Sequence, residues 1–120
     1  MNLLRDDAIR AGDLLAHQQG TPGMTVYVEG GTYFIGTTKV VYAGGSTGTI
    51  TAPVSHPRID IVTLDSGGTL AVTTGTENAS PVAPTYPANK IVVAEIYNVV
   101  GETIIYDNAN QVGGQGYLTD

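Results

Sequence analysis

The chain has 120 residues, no cysteine and a formal net charge of -6, from 11 acidic against 5 basic residues. That length suits one domain with a single core. The lack of thiols excludes disulfides, thiolate metal sites and cysteine nucleophiles, and the negative balance opposes nucleic acid and anionic membrane as partners. Charged residues are only 13% of the chain against 16 glycines, a balance that fits a compact β protein whose surface packs against copies of itself or a larger assembly.

Residues 2–16 are the one helical candidate. Leu4, Ala8, Ala11 and Leu15 recur at spacings of four, three and four, while Asp6, Asp7, Arg10 and Asp13 fall largely off that seam. Asn2 is positioned to cap the helix, and His17 suits its negative end. The seam has two uses: docking on its own domain, or meeting equivalent helices at an axis. The opening MNLLRDDAIR has acidic residues where a signal peptide needs a basic start, so the chain is expected to be made in the cytoplasm. Gly20, Pro22 and Gly23 close this region, which divides the chain into 1–23, helix and turn, and 24–120, a β domain.

From Met24 the period becomes two. Strands are predicted at 24–29, 32–35 and 38–42, joined by Gly30-Gly31 and Gly36-Thr37 as a meander. A loop of small residues, 43–48, precedes a short strand at 49–52 that Pro53 stops. Runs at 58–65 and 69–74, separated by Ser66-Gly67-Gly68, predict a β-hairpin. In the first run Ile59 and Ile61 share one face and Val62 and Leu64 the other, so both faces need cover. Arg58 and Asp60 share a face at the strand's entry, where they can pair with each other, across a subunit boundary, or as a solvated pair worth little.

Pro81, Pro84 and Pro87 at three-residue spacing, with Tyr86 among them, predict an extended arm over 76–89 that crosses between sheets or along a neighbouring subunit. Residues 90–97, KIVVAEIY, are the most apolar strand, with Ile91, Val93 and Glu95 on one face and Val92, Ala94 and Ile96 on the other. Gly101 turns the chain into 103–106, and 116–119 is one further pairing segment. Together these elements predict a mainly β fold, an antiparallel β-sandwich or small barrel of about seven or eight short strands preceded by one short helix.

Nothing in these patterns calls for a catalytic, cofactor-binding or metal site. His17 and His56 lack metal-ligand spacing, and Gly44-Gly45 and Gly67-Gly68 lack the Lys-Ser/Thr and helix of a phosphate loop. Asp60, Asp65, Glu77 and Glu95 are the carboxylates from which a glycosidase pair would be drawn, Asp60 and Glu95 foremost. Tyr33, Tyr42, Tyr86 and Tyr97 suit core or interface more than sugar stacking.

The order PRIDIVTLD, SGGTLAVTTGTENASP, APTYPANKIVVAEIY resembles a domain of tail-fibre, baseplate and other virion structural proteins of tailed bacteriophages. The matching positions are 57–60, 66–69, 75–77, 80–87 and 90–96, with Val92-Val93 where that family often has Pro-Leu. The resemblance implies a virion protein. A sequence opening on methionine and closing soon after one domain leads to the expectation of a homotrimeric capsid decoration or head-fibre protein that contacts the major capsid or tail protein. The alternative it implies is a tail-fibre or baseplate module that binds a host-surface glycan. The interface residues expected on this view are Leu4, Ala8, Ala11 and Leu15 on the helix, Arg58 with Asp60, and Pro81, Pro84, Tyr86 and Pro87 on the arm.

Overall fold

The computed structural model describes residues 13–119. Within them the chain is mainly β: β1 (Ala16–Gln18), β2 (Val26–Val28), β3 (Gly31–Ile35), β4 (Thr38–Tyr42), β5 (Gly45–Ser46), β6 (Arg58–Leu64), β7 (Leu70–Thr73), β8 (Ile91–Asn98), β9 (Ile105–Asp107) and β10 (Gly116–Thr119). The strands form a five-stranded sheet in the order β7-β6-β8-β10-β9, a three-stranded sheet β1-β2-β5 and the hairpin β3-β4. Both predicted hairpin strands at 58–74 are present, and Asp65 closes their loop by accepting from the amides of Gly67 (2.8 Å) and Thr69 (3.0 Å).

Several expectations are corrected. Most of the predicted helix, with Leu4, Ala8 and Ala11, lies outside the described residues, but its expected end is not helical. Leu14 has φ 56°, and Ala16 opens β1 opposite Val28. Ladder partners in β2 outweigh a weak local helical preference there. The meander is not formed either, because the free edge of β2 is taken by β5, with Tyr27 opposite Ser46 and Val28 opposite Gly45. The small residues read as a loop lie flat enough to pair. Residues 49–52 form no strand and are tied instead through Ile50 N–H to the Met24 carbonyl at 2.8 Å.

The five-stranded sheet is mixed rather than wholly antiparallel, since β10 runs parallel to β9 and antiparallel to β8. Parallel neighbours ordinarily need a long crossover. Here β9 has three residues, so the return through 108–115, which includes the 3-10 turn Asn108–Asn110, suffices to insert β10 between β8 and β9.

The strict alternation expected in 90–97 is also broken. The β6 to β8 register slips between Val62, opposite Ala94, and Thr63, opposite Val92, a β-bulge that leaves Val93 as the extra residue. Val93 and Ala94 therefore both join the main core, with Ile91 packed against it. That core unites Val26 and Val28 of β2, Tyr33 and Val40 of the hairpin, Ile50, and Val62, Leu64, Ile96, Ile105 and Leu118 of the large sheet. All three sheets share one cluster.

Polar ties fix their mutual position. Gln18 and Asp107 exchange bonds, the Gln18 amide donating to Asp107 Oδ1 (2.7 Å) and the Asp107 amide to Gln18 Oε1 (2.9 Å). The Tyr33 hydroxyl donates to the Asp65 carbonyl, so the hairpin is pinned to the β6-β7 loop.

The opposite face of β6 also needs cover. Ile61 is fully buried yet stands outside the main cluster, and its register partner is Glu95. Glu95 accepts a hydrogen bond from the Tyr86 hydroxyl, so the proline-rich segment returns over the Ile61 face of its own sheet.

Candidate functional site

The strand β6 begins with a polar cluster at a position where sequence alternation would otherwise bury an aliphatic side chain. Arg58 is 7% exposed and Asp60 0%. The guanidinium grips the carboxylate from two nitrogens, Nε to Oδ1 at 2.7 Å and Nη2 to Oδ2 at 2.9 Å, and Nη2 also donates to the Thr51 carbonyl at 2.7 Å. Asp60 accepts two more bonds, from the Gly75 amide to Oδ1 (2.8 Å) and from Asn98 Nδ2 to Oδ2 (3.0 Å). The pair is thus buried and internal to the subunit, not a solvated surface pair. Its hydrogen bonds to Thr51, Gly75 and Asn98 tie together the 48–53 segment, the end of β7 and β8.

Gly75 is required by this geometry. A Cβ there would run into the Ile59 carbonyl oxygen, so only glycine lets the chain leave β7 close enough for its amide to reach Asp60. Two residues on, Glu77 accepts from three successive amides, Ser55 to Oε1 (2.8 Å), His56 to Oε1 (3.1 Å) and Val54 to Oε2 (3.0 Å). The amides of Ser55, Val54 and His56 hold its carboxyl below the usual glutamate range. The Asn78 amide then donates to the Pro57 carbonyl at 3.0 Å, which fastens the start of the arm to the entry of β6.

A second carboxyl lies near. Glu102 is 4% exposed; its Oε1 accepts from the Val99 amide at 3.0 Å, while Oε2 is buried with no hydrogen-bond partner among the described residues. Burial pushes Glu102 up to about 7, against the pull of the Val99 amide and of Arg58. Gly116 of β10 packs on this carboxyl, and a Cβ there would overlap Oε1.

Arg58 and Asp60 also line a half-open groove of about 280 Å³. Its other walls are Gly48, Thr49, Ile50 and Thr51 on one side and Val72 and Thr74 on the other. Asp60 has its acceptors filled. The remaining guanidinium nitrogen, Nη1, has no hydrogen-bond partner among the described residues, and Arg58 lines the groove beside Thr49, Thr51, Thr74 and the half-buried Val72.

The expected interface residues separate accordingly. Arg58 and Asp60 come together, and Tyr86 reaches Glu95 across the arm, whose Pro81, Pro84 and Pro87 are half-buried. Leu15 is half-buried just before β1. The carboxylates Asp60 and Glu95 are not brought together. Asp60 faces Ile96 in register, so Glu95, one residue away on β8, projects from the opposite face of the sheet. Sequence reading missed Asn98, which meets Asp60 only because β8 pairs antiparallel with β6, and it did not assign Glu77 to the amides it holds.

No protein-family model, curated protein or solved structure matches the chain.

Proposed function

We propose that the chain is a structural protein of a tailed-bacteriophage particle, a homotrimeric capsid decoration or head-fibre protein that stabilises the virion. The observation that carries this reading is that the motifs of the resemblance form one connected unit. Asp60 of the first motif, itself held by Arg58, accepts from the Gly75 amide, Glu77 holds the loop before β6, and Tyr86 of the proline-rich motif bonds Glu95 of the last. In this reading the domain is a β-sandwich in which the three-stranded sheet and the large sheet form two layers around the shared core. The role is mechanical. A cross-tied domain of low charge carries Phe34 and Val41 on the outward face of β3-β4, 59% and 70% exposed, as apolar contacts for neighbouring subunits or the capsid.

The test is the mass of the purified chain by light scattering together with co-sedimentation with emptied, expanded capsids of a phage that encodes it. A trimer that sediments with capsids is expected, and a monomer without capsid affinity overturns the reading. The half-open groove at Arg58 favours a second reading, a tail-fibre or baseplate module that binds a host-surface glycan.

A further inference from the structure

We propose that the groove between residues 48–51 and the end of β7 binds a single neutral sugar residue, with Arg58 Nη1 as the fixed donor to one of its oxygens. This rests on the second reading above and names its site and ligand class. Size sets the first limit. A half-open volume of about 280 Å³ suits one ring and leaves the rest of a chain in solvent.

The donor is held before any ligand arrives. Nε and Nη2 of Arg58 are committed to Asp60 and the Thr51 carbonyl, so the orientation of Nη1 is fixed and little side-chain entropy is lost on binding. Around it, Thr49, Thr51 and Thr74 each offer a hydroxyl able to donate or accept, and the half-buried Val72 offers apolar surface for the C–H face of a ring. Charge then selects the class. Asp60 and Glu77 both act electrostatically on Arg58, and together they exceed its single positive charge. A uronate or phosphate is repelled by that surplus, whereas a hydroxyl or an acetamido carbonyl accepts from Nη1 without penalty.

The variants avoid the buried pair, whose loss threatens folding. A Cβ at Gly48 meets nothing within 4 Å, so Gly48→Leu adds a side chain at the rim of the groove without a clash. Thr51→Val with Thr74→Val removes two hydroxyls at constant shape. The intact 15N-labelled chain is titrated with glucose, galactose, N-acetylglucosamine, glucuronate and purified host-surface polysaccharide, and amide shifts are followed. The expected result is shifts at Thr49, Thr51 and Thr74 with a neutral sugar or the polysaccharide and none with glucuronate. Each variant should weaken binding roughly fivefold or more, Gly48→Leu by filling the rim and the threonine pair by loss of at least one hydrogen bond, with the rest of its spectrum unchanged. Preference for glucuronate overturns the ligand class. Shifts confined to the Phe34 or Tyr86 surfaces overturn the site and leave glycan binding standing, and no shift with any probe overturns both.

Discussion

Asp60 has no solvent exposure and accepts from Arg58 Nε, Arg58 Nη2, Gly75 and Asn98, so its charge is supported entirely by neighbours. Burying an ion pair costs nearly what its attraction returns, but removing one partner strands the other. Asp60→Asn is therefore expected to cost about 3–5 kcal/mol in urea unfolding, far above a surface charge change. Replacing the pair together, Arg58→Met with Asp60→Leu, should recover only part of that loss. The amide of Gly75 and the side chain of Asn98 would still be left without their acceptor. Full recovery would mean that the carboxylate serves Arg58 alone. Gly75→Ala tests the same network from the backbone. The added methyl meets the Ile59 carbonyl, and a loss of about 2–4 kcal/mol is expected, against about zero if the chain end simply shifts away.

At the scale of elements, the arm and the loop before β6 depend on each other through Glu77. Its carboxylate satisfies the amides of residues 54–56, which have no strand partner of their own. Glu77→Ala should speed hydrogen exchange at those amides while leaving the amides of 61–64 protected, because the β6 ladder to β8 is untouched. Equal acceleration in both regions would mean that the clamp holds the whole sheet. Much of this architecture was legible. The hairpin at 58–74 carried its Gly-rich turn, and 116–119 its short pairing segment. What escaped was pairing between distant segments. Gly45–Ser46 carries no strand propensity and pairs only because β2 offers an edge, and Ala16–Gln18 looks helical until β2 is beside it. The bulge at Val93 depends on how β8 meets β6, so a period-two reading of 90–97 could not contain it. Within the site, the adjacency of Arg58 and Asp60 was visible in the spacing. The burial of the pair was not, since it depends on Thr51, Gly75 and Asn98 arriving from three other parts of the chain.

For the molecule as a whole, the titrating groups define one pH window. On the acid side, Asp65 and Glu77 are depressed by backbone amides, so the stability they contribute is present above their unfolded values, 3.8 and 4.5, and is lost as pH falls through their lower folded values. On the alkaline side two groups act in the same sense. Burial lowers His17, but the hydrogen bonds its ring donates to Glu29 Oε2, at 2.6 Å, and to the Gln18 carbonyl outweigh it, so the net shift is upward. Its contribution is complete below 6.5 and lost as pH rises through the folded value. Glu102 is neutral in the folded chain up to about 7 but ionises near 4.5 when unfolded, so it too removes stability as pH climbs between those values. Stability should therefore peak near pH 4.5, with Tm falling by several degrees, on the order of 5 °C, from pH 5.5 to 8. The net charge of -6 adds self-repulsion in the same direction. Glu102→Gln cannot ionise and keeps the shape of the buried carboxyl, so its Tm profile should be flatter over that range and lie above that of the parent at pH 8. A parallel profile, offset but equally steep, would assign the alkaline loss to His17 and general repulsion instead of the carboxyl packed against Gly116.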